Sequence, residues 1–102
     1  VLRDRRILSE EGLVVVVATI DMKNREVLSG PDLLSRGFIY MRESGELINK
    51  GRKQVFRSIK RTLKNEKISE TMLKDAIVSD FQSFLFEQTE RHPLIIPMLV
   101  TV

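Results

Sequence analysis

The spacing of apolar residues changes period several times along the chain, and the changes outline five elements. Residues 1–12 (VLRDRRILSEEG) are polar and charged and end in a turn-like Glu10-Glu11-Gly12. Residues 13–22 then read LVVVVATIDM. Consecutive β-branched valines fit a pleated strand better than a helix. The run is continuous rather than alternating, which predicts a central strand covered on both faces. Lys23-Asn24-Arg25 is a polar turn, and Glu26-Val27-Leu28 starts a second strand. Ser29-Gly30-Pro31-Asp32 interrupts it, because proline removes a ladder donor. Pairing is predicted to resume at Gly37–Met41, giving a hairpin whose return strand carries a bulge or excursion.

From about Glu43 to Glu66 the period becomes 3.6. Ile48, Val55, Ile59 and Leu63 share one face with Phe56 beside them, while Gly45 and Gly51 weaken the first turns. A second helix is predicted from Ser69, an N-cap type. Ile68 and Leu73 flank it at hydrophobic-staple spacing. Leu73, Ile77, Phe81 and Phe84 form its apolar face. It should stop near Thr89–Arg91, because His92 precedes Pro93 and is biased to extended backbone. Leu94–Val102 is the third strand, and Pro97 inside it should cost one ladder bond and favour an edge. The predicted fold is α+β, a two-layer sandwich of order β-β-α-α-β. Its three-stranded sheet carries two helices on one face, with the valine strand in the middle.

Length and composition fit one domain. The chain has 102 residues and is 42% hydrophobic; a domain of this size hides roughly two thirds of its unfolded surface. There is no cysteine and one histidine, His92, which excludes a zinc site of ordinary composition. Lack of cysteine suits a reducing cytosol, so a cytoplasmic location is expected. The longest apolar run, Leu13–Ile20, is broken by Thr19 and is far short of the ~20 residues of a membrane span. The chain opens at Val1 within Arg3-Asp4-Arg5-Arg6 and reads as cut from a longer polypeptide. On this reading residues 1–12 are a linker or arm and residues 13–102 the domain.

Enzyme motifs are missing: no Walker-type loop, no GxGxxG after a strand, no GxSxG elbow. The carboxylate pairs, Glu10-Glu11 and Asp75 with Asp80, fall in charged surroundings without the convergence that general acid/base work needs. His92, between Arg91 and Pro93 at a helix-to-strand junction, reads as a capping or surface residue rather than a catalytic one.

Positive charge is concentrated in one segment. Residues 50–67 hold eight basic side chains and one acidic, against a net charge of +3 for the whole chain. Lys50, Lys53, Arg57, Lys60, Arg61 and Lys64 fall in an arc of about 100° opposite the apolar face. Arg52 falls inside the apolar arc, so it either snorkels or meets an acid. The plain reading of the basic arc is a solvated face. The sharper reading is RNA-phosphate contact, since six like charges on one arc repel each other. Neither aromatic interleaving, a GxxG loop nor an RNP signature accompanies it.

Three stretches carry a family resemblance: RDRRILSEEGLVVVVATID (residues 3–21), LSGPDLLSRGFIYMRES (28–44) and RHPLIIPMLVTV (91–102). Together they resemble the C-terminal domain of bacterial ribonuclease J, with SGPDLLSRGF as the strongest element. The resemblance implies a parent enzyme with a metallo-β-lactamase core and an inserted β-CASP domain. It also implies two metal ions, usually zinc, that activate water against an RNA phosphodiester, cutting internally or from the 5′ end. The family's metal-binding His/Asp motifs lie in those other domains, so no catalytic residue and no cofactor is assigned here. For this domain the resemblance implies assembly. The partners would be the upstream nuclease domains, further copies of the enzyme or a paralogous ribonuclease J subunit, with RNA engaged by the whole enzyme.

Two features bear on that role. The apolar tail, with Leu94, Ile96 and Met98, either fills the core or packs on a partner. The Gly30-Pro31-Asp32 excursion is either a structural bulge or a contact loop, with Arg36 available to pair with Asp32 or with a neighbouring domain. The expected function is therefore a non-catalytic assembly domain. A nucleic-acid-binding module using residues 50–67 is the alternative, and a small-molecule regulatory domain a third possibility without a specific signal.

Overall fold

The structure is a computed structural model that describes residues 12–38 and 45–102. Strand β1 spans Leu13–Asp21 and β2 spans Glu26–Arg36. Helix α1 spans Gly45–Leu63, α2 spans Glu70–Thr89, and β3 spans Leu94–Thr101. The sheet order is β2-β1-β3. β1 pairs antiparallel with β2 and parallel with β3, so the valine strand is central and the sheet is mixed. The expected α+β order and the position of the valine strand both hold. Most of the proposed arm, residues 1–11, lies outside the described residues.

The register corrects the hairpin. β2 does not pause at Pro31 and resume at Gly37. It continues through a cis Gly30–Pro31 bond and pairs Asp32 with Val17, Leu34 with Val15 and Arg36 with Leu13. Register shifts between Val17 and Ile20 absorb the extra residues as a bulge. β2 is an edge strand, where a proline and a bulge are tolerated. Residues 39–41 of the expected return strand lie outside the described residues.

β1 also departs from the expectation of two covered faces. Its burial alternates: Val14, Val16, Ala18 and Ile20 are buried, whereas Leu13, Val15, Val17 and Thr19 are only half-buried. The helices cover the first set alone. β3 follows the same parity, with Ile95 buried and Ile96, Met98 and Val100 exposed.

Pro97 costs this sheet no ladder bond. The Leu94 N–H donates to the Gly12 carbonyl at 3.0 Å and the Val102 N–H to the Ile20 carbonyl at 3.0 Å. In a parallel pair alternate residues bond to the same neighbour, so even-numbered residues of β3 serve β1 and odd-numbered ones face the free edge. Pro97 thus removes a donor from the edge that no described strand pairs, which blunts that edge against further strand addition.

The core joins the inner sheet face to α1 and α2 through Leu47, Val55, Ile59, Leu63, Leu73, Ile77, Phe81 and Leu85. Compared with the expected wheel, the buried arc of α1 is rotated toward small residues: Gly51, Ser58 and Thr62 are buried, and Phe56 is exposed. At Gly51 a Cβ would stand 3.0 Å from Leu33 Cδ1 and 3.1 Å from Phe81 Cε1. The glycine lets β2 and α2 close onto α1. On α2 it is Leu85 that is fully buried, and Phe84 packs against the edge of the core.

The helix ends are satisfied by local chemistry. Ser69 caps α2 and accepts from the Met72 N–H at 3.2 Å, with Ile68 and Leu73 placed as the staple requires. Glu90 closes α2 in the left-handed region, at φ 58°, donating to the Phe86 carbonyl at 2.7 Å. Glycine adopts that conformation without the Cβ conflict that glutamate meets. Glu90→Gly should therefore raise stability by roughly 0.5–1 kcal/mol, read as a higher melting temperature.

The C-terminus of α1 is capped from the β1–β2 turn. Arg25 donates to the Leu63 and Glu66 carbonyls, each at 2.9 Å, and also to the Asn65 carbonyl. These carbonyls lack intrahelical donors and carry the negative end of the helix dipole. Arg25→Gln should cost about 1–2 kcal/mol in urea unfolding. Arg25→Lys should recover only part of it, because an ammonium cannot span three acceptors as a guanidinium fork does.

Candidate functional site

The residues singled out by sequence fall on separate surfaces, and two of these have a form suited to binding. The first is the outer face of the sheet. Strand pairing places Val15 beside Leu34 and Ile96, and Val17 beside Met98, all on the face without helices. Leu34 is 61% exposed, Met98 56% and Val100 55%. A contiguous apolar sheet face of this kind is uncommon on a free-standing domain. Of the predicted contact residues, Ile96 and Met98 lie in this face and Leu94 is half-buried at its edge.

Charge brackets that face. Arg36 pairs with Leu13 at one end of the β1–β2 ladder, and Glu26 pairs with Asp21 at the other. Asp21 is occupied in its own turn, accepting from the Lys23 and Asn24 N–H groups at 3.0 Å. Hydrogen bonds from Asn24 hold its carboxyl below its ordinary pKa. Asp32 takes Arg52, at 3.5 Å, rather than Arg36 as its partner.

The second surface is the outer side of α1. Lys50, Lys53, Arg57, Lys60, Arg61 and Lys64 are all exposed there. Two are engaged: Lys50 with Glu46 at 3.0 Å, and Arg61 with Asp80. Lys53, Arg57, Lys60 and Lys64 have no ion-pair partner among the described residues. Arg52 reaches sideways, its Nε donating to the Pro31 carbonyl at 3.1 Å. This contact draws the β2 bulge against α1 and leaves a shallow groove lined by Gly30, Pro31, Arg52, Lys53, Phe56 and Arg57. Phe56, expected beside the core, is 41% exposed in that groove.

Asp75 and Asp80 do not form a working acid pair. Asp80 faces α1, accepting from Ser58 Oγ at 2.8 Å and from Arg61, while Asp75 lines a groove on the outer side of α2. His92 stacks on Phe86 with ring centroids 4.5 Å apart and borders the same groove. Glu70 joins Lys74 at 3.0 Å and accepts from Thr101 Oγ1 at 3.2 Å, tying the start of α2 to the end of β3. The Lys74 ammonium, first by hydrogen bonding and then by its charge, holds the Glu70 carboxyl below its ordinary pKa. Among the described residues no three His, Asp or Glu side chains come together as metal ligands. No described helix is long and apolar enough to cross a membrane.

Comparison with known proteins adds the lineage. The family model for the ribonuclease J C-terminal domain matches residues 1–102. Ribonuclease J 1 of Streptococcus pyogenes is 54% identical over 99% of this chain. Ribonuclease J 2 of Staphylococcus epidermidis is 39% identical, and that of Staphylococcus aureus 38%, each over 97% of the chain. The chain spans 18% of the length of each of these relatives. The agreement runs along the whole chain rather than at a short motif. The chain belongs to the ribonuclease J C-terminal domain family.

Proposed function

We propose that this domain is the non-catalytic assembly module of a ribonuclease J-type RNA-processing enzyme, and that its outer sheet face packs on the same face of a second copy. RNA hydrolysis, with the two zinc ions implied by the family resemblance, is assigned to the remainder of the polypeptide, acting in the cytoplasm. The observation that carries this reading is the apolar face formed by Val15, Val17, Leu34, Ile96, Met98 and Val100, which no described helix covers. Left in water such a face is a liability, and burying it against apolar surface is favourable in proportion to the area removed.

A second copy suits the face because the face is self-complementary. A two-fold axis lying in the plane of the interface, perpendicular to the strands, brings Arg36 of one copy toward Glu26 of the other, so the charged ends match while the apolar centres meet. Sheet-on-sheet packing of this kind is the ordinary way for an open face to be covered.

The test is sedimentation velocity of the chain over a range of concentrations. The wild type should dimerise, and Met98→Lys with Val100→Lys should be monomeric with an unchanged far-ultraviolet spectrum. Arg36→Glu should weaken the dimer, and adding Glu26→Arg should restore it. A wild type that stays monomeric at high micromolar concentration defeats the proposal. So does a lysine variant that still dimerises.

A further inference from the structure

We propose that the groove between the β2 bulge and α1 is a binding subsite for one nucleotide of single-stranded RNA, with the base on Phe56 and flanking phosphates on Lys53 and Arg57. The site shares no residue with the sheet face and stands whether or not that face makes a dimer.

Three observations converge on it. Phe56 is an aromatic ring left 41% exposed on a helix whose apolar positions are otherwise buried or half-buried. Its neighbours in the groove are Arg52, Lys53 and Arg57 from α1 and Gly30 and Pro31 from the β2 bulge. Lys53 and Arg57 are one helical turn apart, on the same side of α1 as the ring, and neither has an ion-pair partner among the described residues. Arg52 is different: it is held by the Pro31 carbonyl and by Asp32, so it sets the groove's shape rather than its free charge.

A ring flanked by two unpaired cations is the combination that binds single-stranded nucleic acid without sequence preference. The aromatic face stacks a base, and the cations neutralise phosphates and release counterions. An acidic peptide would use the cations but gain little from the ring. A duplex would use the cations too, but its bases are already stacked and cannot reach Phe56. The rest of the basic arc, Lys60 and Lys64, extends along α1 away from the bulge and would follow the strand's backbone.

The experiment is fluorescence anisotropy of a labelled ten-nucleotide oligoadenylate RNA with this chain, at several salt concentrations, against a blunt RNA duplex of the same length. The single strand should bind more tightly than the duplex. Phe56→Leu should weaken it about tenfold without altering the salt dependence, and Phe56→Tyr should restore binding. Lys53→Gln with Arg57→Gln should weaken binding and reduce the slope of log K against log salt by about 1.4. All these positions are exposed, so melting temperatures should match the wild type. No measurable binding, equal binding of duplex, or a Phe56→Leu variant that binds like wild type would each overturn the subsite. A labelled polyglutamate peptide bound as tightly as the RNA would do the same and identify the groove as an acidic-protein contact.

Discussion

Phe81→Ala should destabilise the domain by about 3–5 kcal/mol, the largest loss expected from any single truncation here. The ring is fully buried at the middle of α2. It lies over Gly51 of α1, with Phe81 Cε1 3.1 Å from where a Cβ would stand. It also stacks with Phe84, at 6.0 Å between centroids. Removing it takes away both the burial of a large apolar surface and the contacts that join three elements. The cavity cannot close easily, because Leu33 and Gly51 are set by the sheet edge and by a helix backbone. For a domain of this size each kcal/mol shifts the melting temperature by roughly 4–8 °C, so a loss of 12 °C or more is expected. Phe86→Ala is the contrast. Its ring is 44% exposed, and the cost should stay below about 1 kcal/mol. Equal losses at the two positions would contradict the assignment of the core.

Gly12→Ala should be the second large effect, and its cause is backbone rather than burial. Gly12 has φ +88° and sits at the base of the hairpin. A Cβ there would stand 2.6 Å from the Gly37 carbonyl carbon and 2.7 Å from the Phe38 nitrogen. Both obstacles are main chain, so no rotamer change relieves them. The left-handed conformation alone costs an alanine roughly 1–2 kcal/mol, and the clash adds to it, for an expected total of about 3 kcal/mol. The Gly12 carbonyl also accepts from Leu94, so a shift at residue 12 loosens β3 as well as β2. Gly45→Ala separates this cause from glycine replacement in general. A Cβ at Gly45 meets nothing within 4 Å, at the start of α1, and the change should be neutral or stabilising by up to ~1 kcal/mol. Chemical denaturation of the two variants side by side gives the comparison.

Much of this architecture was legible in the residues, and the parts that were not share a physical reason. Valines at 14–17, the serine cap at 69 and the His92-Pro93 stop act locally, so their meaning survives without knowledge of the neighbours. Pro31 misled because a proline argues against a strand in general, while at a bulge on an edge it does no harm to the ladder. Pro97 did mark an edge strand, as β3 is, but it costs no ladder bond there, because its missing N–H points away from β1, a matter of parity that composition does not record. Gly51, Ser58 and Thr62 are invisible to a hydrophobic wheel, yet they are buried where α1 meets its neighbours, and their inclusion turns Phe56 outward. The groove beside Phe56 was hidden for that reason. Its cations were visible in sequence, but the exposure of the ring depends on which side of α1 the packing chooses.

The unbroken valine run has a related history. Continuous apolarity in a strand predicts cover on both faces, and among the described residues the helices supply it on one. The mismatch between a two-sided sequence and one-sided helix cover points to a second apolar surface above Val15 and Val17. This is why the assembly reading rests on the sheet rather than on the tail residues alone: Ile96 and Met98 matter as neighbours of Val15 and Val17.

Assembly is the central claim, and a mass comparison tests it most directly. A full-length ribonuclease J carrying this sequence as its C-terminal domain would be compared, by light scattering at matched concentrations, with the same enzyme lacking it. The account predicts a smaller oligomer without the domain, and the same reduction when Met98→Lys and Val100→Lys are placed in the intact enzyme. An oligomer of unchanged size after both alterations would contradict it.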